Sequence, residues 1–272
     1  MRRPLTVGVP WNGAGDIETL LERSDAAEYV DEVLVSPSNE STWDAVCRLK
    51  TRFPKLRSLN AGDTGLYAAF NKLISNARTT FLCFHGVDDL LVPDRAVGSI
   101  LASATGDKIL VFSVQLCSSS GAPITVYHHR EQDPPRQALG RFSSPATPEV
   151  AYPVAVLREI GGADTSFRIA GDADLYFRAR KIAGRIDCEN IFVEMRDGGM
   201  STTARHALAV LKENRRISQD HGQGISLANR AATAAFLGGR HILYRFGGER
   251  FSALVVDGAR LLLGRRPRYS QR

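Results

Sequence analysis

The sequence contains no uninterrupted apolar run approaching the roughly 18 residues of a membrane span. After Met1-Arg2-Arg3 the apolar stretch is too short for a signal peptide, residues 4–10 reading as one brief strand. A cytoplasmic chain that does not cross the membrane is expected. Cysteine is scarce: Cys47, Cys83, Cys117 and Cys188 are scattered with no C-x-x-C pair, which argues against zinc and dithiol chemistry and predicts buried free thiols. The glycines after the first apolar run, Gly13-Ala14-Gly15, lack a third glycine at the dinucleotide-binding spacing, where Glu18 stands and would oppose a pyrophosphate. No lysine or arginine occurs from Trp11 to Asp16, so that loop is unsuited to holding a triphosphate. Internal repeats and low-complexity tracts are also missing.

With 272 residues, 43% hydrophobic and 24% charged, the chain can bury a full core, and one domain plus a terminal appendage is the simplest division. Its net charge of +6 is unevenly placed. Residues 225–272 hold nine arginines against Glu249 and Asp257, a balance of +7, which leaves −1 for the preceding 224 residues. The basic character therefore belongs to the tail, and no nucleic-acid partner is expected. The boundaries that follow are a compact domain over 1–224 and a basic, amphipathic helical tail over 225–272.

Over the first 120 residues, short apolar runs alternate with helical patterns, the mark of a mostly parallel α/β sheet flanked by helices. Strands are expected at 5–10, 32–36, 56–59 and 79–85. Between the last two, Leu66, Phe70, Leu73, Ile74 and Ala77 share one helical face, and Asp63 or Thr64 is placed to cap that helix. Further strands are expected at 108–117, 124–129 and 186–195, and helices after Pro93 and at 154–160 and 172–183. A proline-rich loop or lid is expected at 131–148.

Two acidic spots can carry chemistry. Asp88 and Asp89 follow the fourth strand, at the carboxyl end where open α/β sheets bind ligands. A carboxylate there can hold a hard divalent cation against a diphosphate, although an ordinary acidic loop looks the same. Gly171-Asp172-Ala173-Asp174 opens a later helix; a carboxylate there can act as general base, or simply favour the helix amino end. Adjacent His128 and His129 point to opposite faces of a strand, which favours structural roles.

Read in order, these pieces resemble family-two glycosyltransferases of the kind that build bacterial exopolysaccharides. Asp63-Thr64-Gly65-Leu66-Tyr67-Ala68-Ala69-Phe70-Asn71-Lys72 is similar to their D-x-G-I-Y-D-A-M-N-K segment, and Phe84-His85-Gly86-Val87-Asp88-Asp89 to F-L-N-A-D-D. Phe167-Arg168-Ile169-Ala170-Gly171-Asp172-Ala173-Asp174-Leu175 is similar to F-x-I-A-x-D-Y-D-L, and Gly198-Gly199-Met200-Ser201 to the closing G-G-x-S. The resemblance covers roughly residues 5–205 and implies a GT-A fold moving a sugar from a nucleotide donor, by default a uridine diphosphate sugar. The implied reaction is an inverting single displacement onto a saccharide or lipid-linked acceptor, with Mn²⁺ or Mg²⁺ bound. By the same resemblance Asp172 is the catalytic base and Asp88 the metal ligand. Pro10, Asn12, Ser36, Asp63, Tyr67, Asn71, Lys72 and Asp89 line the donor side.

Three positions depart from the pattern. Ser36 stands where the family's base-reading Asp belongs, Gly86 where the first acid of Asp-x-Asp belongs, and Ala68 where the helix carries an Asp. They motivate a rival expectation, a catalytically silent GT-A-like binding or scaffold protein. In the tail, Arg250, Asp257 and Arg260 fall on one narrow helical stripe while Phe251, Leu254, Val255, Leu261, Leu262 and Leu263 cover the remainder. That pattern suits peripheral contact with the inner face of the cell membrane. It equally suits a helix pair packed on the domain or across a homodimer.

Overall fold

The computed structural model describes residues 4–62, 64–118, 121–129, 144–196, 203–222 and 227–262. The chain forms two compact units, one of Met1–Leu116, Ile124–Arg130 and Ser144–Met195, the other of Cys117–Pro123, Glu131–Ser143 and Arg196–Arg272.

The first unit is an α/β layer structure whose leading strands are β1 (Leu5–Trp11), β2 (Val30–Pro37), β3 (Leu56–Ser58) and β4 (Phe81–Phe84). They lie in the order β3-β2-β1-β4, all parallel. Near-continuous apolar runs form these strands because both faces are covered by helices: Leu5, Val7, Val9, Val33, Val35, Phe81 and Cys83 all lie in the core. Beyond β4 the sheet continues through β8 (Val150–Pro153), β6 (Lys108–Cys117), β9 (Gly184–Arg196) and the short β5 (Leu90–Leu91). Here the pairings β4–β8, β6–β8 and β5–β9 are antiparallel. The strand β7 (Pro123–His128) pairs with β6 off this path.

Helices α1 (Ile17–Ala26), α2 (Glu40–Leu49), α3 (Leu66–Asn76) and α4 (Arg95–Ser103) join these strands. Three have side-chain caps: Asp16 accepts from the amides of Glu18 and Thr19, Asn39 forms a capping box with Thr42, and Asp94 accepts from Ala96. On α3 the expected Thr64 cap does not form. Gly65 takes the cap position at φ 142°, with no side-chain cap bond; Asp63 lies outside the described residues. Of the face expected to be buried, Phe70, Leu73, Ile74 and Ala77 are buried and Leu66 half-buried, and Phe70 stacks on Phe84 of β4 at 4.0 Å between ring centroids.

A buried acid sits at the start of β2. Glu32 accepts from the Thr6 hydroxyl and the Arg78 amide, each at 2.8 Å, and pairs with Arg57 at 2.5 Å. A buried carboxylate with this many donors is compensated. Two later helices complete the layer, α5 (Val154–Glu159) and α6 (Gly171–Ile182). The Arg158 guanidinium of α5 donates to the carbonyls of Ile74 and Ala77 at the end of α3, neutralising a helix carboxyl terminus.

In the second unit, α7 (Ala207–Asp220) precedes a helical stretch, α8 (Leu227–Leu262), broken at Gly248, where φ is 76°. All four cysteines are free thiols, three of them buried, as expected. No described helix is long and apolar enough to cross a membrane.

Because Phe84 links β4 to α3 through a single ring pair, Phe84→Ala is expected to lower the unfolding free energy by about 3–5 kcal/mol. Urea denaturation followed by tryptophan fluorescence measures it.

Candidate active site

Parallel pairing brings the carboxyl ends of β1, β2 and β4 to one rim. In the register Pro10 faces Ser36 and Trp11 faces Pro37, and the Ser38 amide donates to the Trp11 carbonyl at 2.9 Å, locking the two strand ends together. Past β1 the chain turns tightly. Trp11 Nε1 donates to the Ala14 carbonyl at 2.9 Å and Asn12 Oδ1 accepts from the Ala14 amide at 3.0 Å. Gly15, at φ 78°, lets this loop lie against the end of β4: a Cβ there would sit 2.2 Å from Val87 Cγ2 and 3.8 Å from Asp88 Oδ1.

At the end of β4 the two acids differ. Asp88 is exposed, while Asp89 is half-buried and its Oδ2 accepts from the Gly86 amide at 3.0 Å, closing a tight turn. Burial pushes the Asp89 carboxyl up to about 7, against the Gly86 hydrogen bond and helped by the charge of Asp88. His85 is buried and its Nδ1 lies 3.1 Å from the Asp89 carbonyl. A carbonyl can only accept, so Nδ1 carries the proton and donates. Burial pulls the His85 pKa down to about 4, opposed by the carbonyls of Asp89 and Pro148, so the ring is neutral at physiological pH.

Across from β4, the single turn of 3-10 helix Thr147–Glu149 leads into β8. Its Thr147 hydroxyl donates to Asp172 Oδ2 at 2.5 Å. The register of β8 against β4, Leu82 with Tyr152, brings this turn alongside the chain leaving β4. Asp172 is thus tied through one hydroxyl to a turn flanking the strand that delivers Asp88. The Tyr152 phenol is held protonated by burial and by the nearby groups Asp172, Tyr176 and Glu149.

The structure sorts the second acidic cluster. Asp174 is buried and pairs with Arg178 at 2.8 Å, and Arg178 also donates to the Ile160 carbonyl, so Asp174 holds its helix in place. Asp172 is only partly buried and turns to Thr147. Tyr67 fixes the start of α6: its hydroxyl accepts from the Gly171 amide at 2.7 Å. Residue 171 must be glycine for this approach, because a Cβ would lie 2.8 Å from the Tyr67 ring.

The other residues singled out from the sequence are distributed as follows. Ser36 is buried within β2. Asn71 clamps Ala163 from both ends of its amide, accepting from the Ala163 nitrogen at 2.6 Å and donating to its oxygen at 2.9 Å. Lys72 donates to the Asn60 carbonyl. Asp63 and the segment from Gly198 to Ser201 lie outside the described residues. His128 and His129 take separate partners, Ser113 and Arg185. Thr147, Glu149 and Tyr152 carry no periodic signal, lying in or just past the proline-rich stretch. A groove of about 810 Å³ lies elsewhere, lined by Pro4, Tyr29, Asp94 and Gly98 at the amino ends of the parallel strands, the rim opposite Asp88.

Among the described residues no three His, Cys, Asp or Glu side chains gather into a metal cage. The donor set at Asp88 nonetheless fits Mg²⁺ or Mn²⁺, since such ions keep several waters and bind through one or two carboxylates plus substrate phosphates.

No family model matches the sequence, and no curated protein is similar to it at the sequence level. Solved structures match in shape. A crystal structure of S. aureus TarS 1-349 superposes with a TM-score of 0.57 at 15% identity, covering 96% of this chain and 78% of that one. The same protein bound to UDP-GlcNAc gives 0.58, covering 91% and 75%. The mannosyltransferase PcManGT from Pyrobaculum calidifontis, in complex with GDP-Man and Mn²⁺, gives 0.58 at 18% identity, covering 96% and 80%. The fold is GT-A. Against the longer TarS structure this chain spans 45% of the length.

Two predictions follow from the site's geometry. Tyr67→Phe, which removes the acceptor for the Gly171 amide, is expected to cost about 1–3 kcal/mol, read from the urea midpoint. His85 has a folded pKa of about 4 against an ordinary 6.5, so its contribution to stability is complete above pH 6.5 and lost as pH falls through 4. The melting temperature should drop across that window, and His85→Asn, which keeps a donor for the Asp89 carbonyl, should flatten the drop.

Proposed function

We propose that this chain is a glycosyltransferase that moves a sugar from a nucleotide-activated donor to an acceptor hydroxyl, inverting the anomeric centre. The observation that carries this reading is the tether from Asp172 through Thr147 to the turn flanking β4, the strand whose following loop carries Asp88. It supports a general base and a cation-holding carboxylate acting on one substrate. Asp172 takes the proton from the acceptor hydroxyl as its oxygen forms the bond to the anomeric carbon. The bond from that carbon to the diphosphate oxygen breaks with its electron pair leaving on the diphosphate. Asp88 would hold a divalent ion, which when bound would supply charge neutralisation for that leaving group. Thr147 orients the carboxylate of Asp172, and Tyr67 fixes the turn from which it projects.

On the donor side, Pro10, Asn12 and Ser36 are assigned to the nucleoside, Asp89 to the sugar, and Asp63, by the resemblance, to the nucleoside or the sugar. Lys72 and Asn71 hold the walls through Asn60 and Ala163. A nucleotide-sugar donor and a divalent metal are supported by the GT-A neighbours crystallised with UDP-GlcNAc and with GDP-Man and Mn²⁺. A uridine diphosphate sugar is the default, and the acceptor a saccharide or lipid-linked glycan of polysaccharide or glycolipid synthesis. Residues 1–224 form the catalytic domain and 225–272 an appended basic tail, in a cytoplasmic protein.

The rival reading is a silent binding protein, favoured by the hydrogen bond that engages Asp89 with Gly86 and leaves Asp88 as the exposed acid of the pair. Thermal shift with a nucleotide panel, with and without Mn²⁺, followed by donor-hydrolysis assays, separates the two. Metal-dependent stabilisation by a nucleoside diphosphate, weakened by Asp88→Asn, is expected. Asp172→Asn should lower kcat about 10²–10⁴-fold with little change in donor KM. No metal-dependent nucleotide release from any donor would leave the binding protein standing.

A further inference from the structure

The helix that closes the tail is inside out. After the break at Gly248, residues Ser252, Ala253 and Asp257 are buried, whereas Phe251, Leu254, Val255, Leu261 and Leu262 are exposed, Leu254 to 62% and Leu262 to 90%. The exposed positions recur at i, i+3, i+4, i+10 and i+11, so they form one continuous apolar face, and Gly258 at i+7 leaves it flat. The polar face turns into the unit. Ser252 donates to the Arg240 carbonyl at 3.2 Å, and Asp257 lies 3.8 Å from Arg260. Ahead of the break Phe246 is 86% exposed and Ile242 57%.

Charge decides what covers this face. The tail's two acids are both engaged within the second unit. Glu249 accepts from the amides of Ala204 and Arg205 and lies 3.6 Å from Arg240, and Asp257 faces Arg260. Arg250 remains exposed beside the apolar face and Arg245 is exposed just ahead of the break, in a tail whose balance is +7. A second copy would bring another +7 and no spare carboxylate from its own tail. A surface with apolar depth and anionic headgroups satisfies both features, since arginines reach outward to the phosphates while the apolar face sinks below them.

We propose that the helix following Gly248 docks the protein onto an anionic lipid surface, lying in its plane with Phe251, Leu254, Val255, Leu261 and Leu262 inserted and Arg245 and Arg250 on the headgroups. The proposal is independent of the chemistry assigned to the first unit.

The test is co-sedimentation of the full chain with vesicles of equimolar phosphatidylglycerol and phosphatidylcholine, and with phosphatidylcholine alone. Binding to the anionic vesicles is expected, weakened by high salt. Leu254→Glu with Leu261→Glu should lower the bound fraction about tenfold or more, and Arg245→Glu with Arg250→Glu should remove the preference for anionic lipid. All four side chains are exposed, and an unchanged circular-dichroism spectrum and urea midpoint show that the variants fold. Absence of sedimentation with anionic vesicles, or sedimentation unaffected by the Leu254 and Leu261 charges, overturns the proposal. So does a dimer in light scattering that those charges dissociate without any lipid binding, which assigns the face to a second copy.

Discussion

Parallel pairing of β3, β2, β1 and β4 is the constraint on which the first unit depends. Strands that run the same way end on the same rim, so whatever follows each of them is gathered without any contact having to be specified between distant loops. The pairing is held by burial of both strand faces and anchored at the opposite end by Glu32, whose donors come from β1, β3 and the segment before β4. The carboxylate therefore ties the same strands whose far ends carry Asn12, Ser36 and Asp88. Register at one rim is enforced by polar chemistry at the other.

A parallel sheet alone does not deliver Asp172, which lies on a helix much later in the chain. That step belongs to the antiparallel strand β8, inserted beside β4, with its leading turn alongside the end of β4. Three connections then fix the start of α6: the Tyr67 hydroxyl on the Gly171 amide, the Thr147 hydroxyl on Asp172, and the Asn71 clamp on Ala163. The first and third join the second half of the fold to α3, and the second ties Asp172 to the turn that leads into β8. The glycine at 171 is a requirement of close approach, and its missing side chain is what admits the Tyr67 ring.

Much of this was legible from local pattern, and the exceptions share a cause. Apolar runs mark β1, β2 and β4, and the spacing of Leu66, Phe70, Leu73 and Ile74 marks the buried face of α3, because those signals are written within one element. The two-residue β5 is too short for any period, and α7 buries only Ala207, Val210 and Ile217, too sparse a pattern to stand out. The acids of α6 show the deeper limit. Asp172 and Asp174 are equally good first-turn residues, and only the packing of Arg178 on one and Thr147 on the other separates a helix anchor from a partly exposed carboxylate. Motif likeness brought Asn71 and Lys72 into view without revealing that their polar ends reach backbone groups of neighbouring loops.

The tail reverses the usual relation between pattern and burial. An amphipathic stripe predicts which face will be covered, and the ordinary outcome is that the apolar side turns inward. Leaving a large apolar side chain exposed forgoes roughly 1.5–3 kcal/mol of burial each, so a helix presenting five of them outward is held by something other than its own hydrophobic face. Here that is a largely polar inner side: Ser252 on the Arg240 carbonyl and Glu249 on the amides of Ala204 and Arg205, with Ala253 buried beside them and Asp257 paired to Arg260 along the helix itself. Satisfied polar groups on the inner side fix the helix's rotation about its own axis. With rotation fixed, the apolar side cannot turn inward to bury itself, and its stabilisation is available only to a partner that arrives from outside.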